Sequence, residues 1–222
     1  MKQGEVHEMR YAWGVDSEQV VTKELYNCVS KHYGKPAYWG RFLTSVPGES
    51  EGLSIKEIQL LQEGDTKVLP IYNHFTTATG YRQGRVIAQN AAFHAKRFMI
   101  QKGAPLFAYM KGLQGINEAW IRGYVDAMDN TDYEAGFYYD LKNENFTNAY
   151  CKAVSKEKSI QEQSFLWSAD PNLGVTSLRK APKFRPIKPN CQGNVWVWQY
   201  GRDGNACPIH TDLMSTRLLE LL

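Results

Sequence analysis

Short apolar runs and amphipathic segments alternate along this chain. "YAWGVD" (11–16) has the length and β-branched or aromatic content of a strand, and "SEQVVTKELYNCVSKHYG" (17–34) follows with helical spacing, Ser17 placed to cap it and Gly34 to end it. The alternation continues with a strand at 36–43, a short helix at 54–64 in which Ser54 and Glu57 have capping-box spacing, and a strand at 67–75. A long helix at 81–102 carries Ala88, Ala91, Ala92 and Ala95 on one side, which suits close packing on a sheet. Then come a strand at 105–112, a helix at 117–130, a strand at 134–141, a helix at 145–156 and a strand at 164–171. Strands at 194–201 and 207–214 and a short helix at 215–222 complete the pattern.

Eight strands with mostly helical connections imply parallel βαβ units, and eight is the number that closes a (β/α)8 barrel. The expected fold is therefore α/β, a single (β/α)8 TIM-like barrel spanning 1–222 as one domain. An open doubly wound sheet is the alternative, but no G-x-G-x-x-G follows any strand, which leaves a dinucleotide-binding version little support. Residues 172–193 break the alternation. They hold Pro182, Pro186 and Pro189 and read as a long loop. From Pro171 to Arg202 there is no acidic residue but six basic ones, Arg179, Lys180, Lys183, Arg185, Lys188 and Arg202. Such a loop is either a solvated surface segment or a lid over the barrel mouth that attracts an anionic polymer.

Composition narrows the class. The chain has 222 residues, 43% hydrophobic and 22% charged, as ordinary globular proteins do. The 13% aromatic share, with 13 Tyr and 6 Trp, supplies ring faces suited to sugars or to cores. A net charge of +3 is too mild to imply nucleic acid. "MKQGEVHEMR" at the start has no apolar leader, and the longest apolar run, 104–110, is too short to span a bilayer, so a chain soluble as it stands is expected. No CxxC pair occurs. Cys28 and Cys151 fall in helical patterns and read as buried thiols, whereas Cys191 and Cys207 bracket one strand and either meet as a disulfide or stay free.

In a (β/α)8 barrel the chemistry gathers at the carboxyl ends of the strands. Those ends carry Asp16, Arg41, Tyr72 with His74, Lys111, Asp140, Trp167, then Trp198, Gln199 and Tyr200, and finally His210 and Asp212. Acids and aromatic rings predominate. Paired carboxylates with ring platforms are what glycoside chemistry uses, one acid protonating the leaving oxygen and another carboxylate acting at the anomeric carbon. Each residue also has an ordinary role. Asp16 and Asp212 suit helix caps, Asp170 before Pro171 suits a turn, and His74 suits a structural hydrogen bond.

The chain resembles the bacterial and phage glycoside-hydrolase-like domains related to the family 25 lysozymes. The matching pieces are "GVD" (14–16), "GRFL" (40–43), "LSIKE" (53–57), "VLPIYN" (68–73), the helix at 81–98, "APLFAYM" (104–110), "VWQYG" (197–201) and "HTDL" (210–213). The resemblance implies a barrel, a rim site and action on, or binding of, bacterial cell-wall polysaccharide such as peptidoglycan. It carries over Asp16 first and Asp212 next. In relatives the fourth strand ends in an aspartate within a short acidic motif. Here Lys111 stands there, and no carboxylate follows until Glu118. The expected site is therefore Asp16, Asp140, Asp212 and Glu118 as carboxylates, with Arg41, Tyr72, His74, Lys111, Trp167, Trp198, Gln199 and Tyr200 as substrate contacts. No metal and no cofactor are implied. Three readings remain: a muramidase-like glycosidase, a catalytically inactive wall- or coat-targeting barrel, and a binder of phosphate-bearing polymer through 179–188. A role at the cell envelope or outside it is expected.

Overall fold

A computed structural model describes residues 11–113, 115–140 and 144–222. The start at 1–10, where no apolar leader is expected, and the last residue of the expected fifth strand, 141, lie outside the described residues. The strands are β1 (Tyr11–Asp16), β2 (Tyr38–Phe42), β3 (Lys67–Tyr72), β4 (Pro105–Tyr109), β5 (Glu134–Asp140), β6 (Ser164–Ala169), β7 (Val195–Gly201) and β8 (His210–Ser215). They pair in chain order into a closed barrel.

One strand departs from the all-parallel expectation. β1 to β7 run parallel, but β8 is antiparallel to both β7 and β1. Only residues 202–209 separate β7 from β8, and a parallel return needs a crossover of roughly a dozen residues or more. The chain therefore turns back as a hairpin. The start of β8, not its end, reaches the carboxyl-end mouth, and Asp16 pairs with His210 and Gly14 with Asp212.

The helices are α1 (Lys23–His32), α2 (Ile55–Glu63), α3 (Tyr81–Arg97), α4 (Glu118–Met128), α5 (Glu144–Lys156), α6 (Ser159–Glu162) and α7 (Thr216–Leu219). α1 begins six residues later than its pattern suggests. Ser17 belongs to the barrel rim, its N–H donating to the Gly40 carbonyl (3.3 Å) and its Oγ accepting from Trp39 Nε1 (3.0 Å), so Thr22 caps the helix instead. Ser54 caps α2 as its spacing predicts, accepting from Glu57 N–H at 3.2 Å. α3 and α4 touch backbone to backbone: a methyl group at Gly84 would overlap the Trp120 carbonyl, and one at Gly123 the Tyr81 carbonyl.

Side chains alternate across each strand, and this sorts the core into layers. Tyr38, Phe42, Leu69, Ile71, Phe107, Tyr138, Trp167, Val197 and Met214 fill the barrel interior. The opposite faces of β3 to β6 pack under α3, α4 and α5. Trp13, Val15, Trp39, Trp198 and Tyr200 face outward against α1.

No helix covers β7. The proline-rich strap at 172–193 does so, running down the outside of the barrel instead of across its mouth. Its Leu178 N–H donates to the Tyr33 carbonyl (2.8 Å), Thr176 bonds the Tyr200 hydroxyl (3.0 Å), and Phe184 stacks on Tyr11 at 4.2 Å. All four cysteines are bridged, Cys28 to Cys207 and Cys151 to Cys191. Neither the Cys191–Cys207 pairing nor buried thiols at Cys28 and Cys151 occur, because α1 lies beside the β7–β8 hairpin and α5 beside the end of the strap. Bridges of this kind persist where thiols are not kept reduced.

Among the described residues no helix is long and apolar enough to cross a membrane. Two stability outcomes follow. Gly123→Ala forces α3 and α4 apart and lowers stability by about 3 kcal/mol, measured as a shift in the urea midpoint. Replacing Cys28 and Cys207 by Ser opens a cross-link of sequence separation 179 and removes about 5 kcal/mol, against about 4 kcal/mol for the Cys151–Cys191 pair, on chain-entropy grounds.

Candidate functional site

The site is built from the inward-facing positions of the strands. Gly14 and Asp16 of β1 face those of β8, and Gln199 of β7 lies opposite Asp212. Gly40 leaves the room. A methyl group there would come within 2.6 Å of the Trp167 ring and 2.7 Å of Asp16 Cβ. Asp16 is 3% exposed and Asp212 wholly buried.

Each carboxyl is tied to the interior. Gln199 Nε2 donates to Asp16 Oδ1 (2.9 Å) and to the Tyr138 hydroxyl (2.8 Å). Trp167 Nε1 donates to Asp212 Oδ1 (3.1 Å). Asp212 Oδ2 is buried without a hydrogen-bond donor among the described residues, and the Asp212 carboxyl lies beside that of Asp16. Burial pushes the Asp212 pKa well above the ordinary 3.8, and the Asp16 charge and the bond between the two groups push it further. Both effects favour the neutral form of the Asp212 carboxyl, as expected for adjacent buried carboxyls.

Above this pair the rings form a ladder from core to rim. Phe107 and Tyr138 meet Trp167 edge-on at 5.4 and 4.7 Å, Tyr109 stacks on Tyr138 at 5.1 Å, and Phe42 meets Tyr109 edge-on at 5.2 Å. Over it opens a cleft of about 600 Å3 lined by Glu18, Phe42, Glu49, Phe75, Tyr109 and Lys111, among others.

The rim is a charge network. His210 Nδ1 accepts the Asp203 N–H (3.1 Å), which leaves Nε2 to face Glu18 at 3.6 Å. Burial lowers the His210 pKa, but Asp16, Glu18 and Asp203 outweigh it and the net shift is upward. Glu18 is held below its usual range, chiefly by His210, with Lys111 and Arg202 adding to the effect. Arg202 donates to Gln199 Oε1 (2.9 Å) and faces Asp140 at 3.8 Å.

The expected residues thus divide. The structure brings Asp16, Asp212, Gln199, Trp167, Asp140 and Lys111 together at or beneath the mouth. Arg41 is wholly buried on the outer side of β2, ion-paired to Glu57 and donating to the carbonyls of Ser17 (2.6 Å) and Glu51 (2.9 Å). Tyr72 packs outward under α3, its ring 5.8 Å from His94. His74 is exposed beyond β3. Trp198 and Tyr200 lie beneath the strap, the Tyr200 hydroxyl accepting from Trp13 Nε1 (3.0 Å). Glu118 stands in the helix layer, ion-paired with Lys156. The reading of strand ends missed Glu18, Tyr109, Tyr138 and Phe42. Glu18, Tyr109 and Tyr138 lie two residues from Asp16, Lys111 and Asp140 and so in their phase, whereas Phe42 follows Arg41 directly and faces the other way.

Chemically, the two buried carboxyls stand together and not opposed. Two-carboxylate glycoside hydrolysis places its groups on either side of the scissile bond, about 5–5.5 Å apart when retaining and 6.5–9.5 Å when inverting. Asp16 and Asp212 lie side by side where β1 meets β8. Across from them the fourth strand presents the Tyr109 phenol, whose pKa burial raises, and the Lys111 ammonium.

Comparison with known proteins places the fold. The chain is 46% identical to an uncharacterized protein of B. stearothermophilus over 95% of this chain and 99% of that one, with a TM-score of 0.92. It is 14% identical to the catalytic domain of endolysin ply40 from Listeria monocytogenes bacteriophage P40, covering 96% and 97% of the two chains at a TM-score of 0.62. It is 13% identical to a family GH25 lysozyme from Aspergillus fumigatus, covering 96% and 99% at a TM-score of 0.55. No protein-family model and no curated protein matches the chain. The barrel is that of the glycoside hydrolase family 25 lysozymes.

The raised Asp212 pKa has a measurable consequence. An acid whose pKa is raised by folding contributes stability that is complete below its unfolded value and lost as pH rises through its folded value. The contribution of Asp212 therefore falls from about pH 4 upward. Asp212→Asn keeps the acceptor for Trp167 and presents an N–H to Asp16 at every pH. It matches wild type near pH 4 and exceeds it near pH 8 in urea midpoint. Equal pH slopes in the two proteins would show Asp212 ionised in the fold.

Proposed function

We propose that this chain, which belongs to one family with the B. stearothermophilus protein and has the barrel of the family 25 lysozymes, is a cell-wall glycan-binding protein that holds peptidoglycan-type polysaccharide at the barrel mouth without hydrolysing it. One observation carries this reading. The fourth strand ends in Tyr109, Met110 and Lys111, so the wall facing Asp16 holds a phenol and an ammonium where hydrolysis needs a carboxylic acid. The cleft of about 600 Å3 above it supports binding, with Phe42, Phe75 and Tyr109 as ring faces and Glu18, Glu49 and Lys111 as polar partners. The two disulfides suit surroundings outside a reducing cytosol. In this reading Tyr109 stacks on a sugar ring, Lys111 and Glu18 bond its substituents, and Asp16 with Gln199 fixes the floor.

The test uses purified peptidoglycan stripped of phosphate polymers. The protein co-sediments with it, Tyr109→Ala weakens binding about tenfold, equivalent to 1.4 kcal/mol, and Asp16→Asn changes it little. No reducing ends appear. Steady release of reducing ends that Asp16→Asn abolishes would replace this reading with a glycosidase.

A further inference from the structure

We propose that the strap at 172–193 is a second binding surface, separate from the mouth, that takes a linear polymer of phosphodiester-linked units. Arg179, Lys180, Lys183, Arg185 and Lys188 are all exposed. Among the described residues none of the five joins an ion pair. The chain has 26 basic and 23 acidic residues; leaving these five out gives 21 against 23, so the strap carries the whole positive excess. The basic face continues onto α1. Leu178 N–H bonds the Tyr33 carbonyl, which sets the strap beside the exposed Lys31 and His32.

The strap is also preset. Cys191 is bridged to Cys151, Phe184 is held between Tyr11 and Trp198, and Pro182, Pro186 and Pro189 fix their own backbone angles. A row of cations fixed in advance loses little freedom when a ligand lands. Past the 3-10 turn at Leu178–Lys180 the strap has no regular structure, and Lys180, Lys183, Arg185 and Lys188 follow one another at two or three residues, a reach of at most about 7–10 Å between neighbours. A flexible chain with one charge per repeat unit can follow that step. Base recognition needs free aromatic faces, and the one aromatic residue of the strap, Phe184, already spends its ring on Tyr11 and Trp198. The chemistry therefore reads phosphate and not base.

The experiment uses the full chain and fluorescent poly(glycerol phosphate), followed by anisotropy. With about four phosphates neutralised, affinity falls about 50-fold between 50 and 200 mM salt. The triple variant Lys180→Glu, Lys183→Glu, Lys188→Glu keeps the thermal midpoint of wild type and loses at least 90% of the binding at low salt. Tyr109→Ala leaves polymer binding unchanged, and the triple variant still co-sediments with phosphate-free peptidoglycan, so the strap and the mouth fail or succeed separately. Binding that ignores salt or survives the triple reversal overturns the proposal. So does tighter binding to single-stranded DNA or to anionic phospholipid vesicles than to the polymer.

Discussion

Closure of this barrel depends on one reversed strand. β8 bonds to β7 on one side and β1 on the other, antiparallel to both, so no edge is left open. The reversal also decides what the interior holds. Because β8 enters at the mouth, His210 lies against the end of β1 and Asp212 one step below it, facing the same space as Asp16. A parallel eighth strand would have brought its far end, Ser215, to the rim. The buried carboxyl pair, its indole partner and the rim histidine are consequences of that direction.

Much of the fold was legible because short apolar runs bounded by glycine and proline mark strands without regard to their neighbours. Direction was not legible from apolarity, although the brief 202–209 connection between β7 and β8 was a hairpin signal. The site was only half legible, for a reason of phase. Strand ends carry residues of both faces, and a list of them mixes the interior with the exterior. Gly40 and Gln199 point in; Arg41 and Trp198, one residue away, point out. Counting in twos from Asp16 leads to Glu18, and from Phe107 to Tyr109 and Lys111. The disulfides were beyond such counting, since Cys28 and Cys207 are 179 residues apart and meet only because the barrel closes.

The mouth joins two kinds of surface. Below, the rings from Phe107 to Phe42 stack and cross so that two carboxyl groups stay dry among them. Above, Glu18, His210, Arg202, Asp140 and Lys111 compensate one another around open space. Lys111 belongs to the second set. Its charge helps hold the Glu18 pKa down, so the residue at the end of the fourth strand serves the rim's electrostatic balance.

The contact of Gly84 with Trp120 and of Gly123 with Tyr81 has a mechanical meaning. These two helices flank the fourth strand, and their backbones already touch, so they can neither slide nor separate without breaking contact. Tyr109 and Lys111 therefore project from a stiff jaw. The facing lip is the turn at 45–51, where Pro47, Gly48 and Glu49 are exposed and Asn73 pins Ser50 at 2.8 Å. The cleft thus stands between a jaw held by helix-to-helix backbone contact and a lip held only by the hydrogen bonds of one turn.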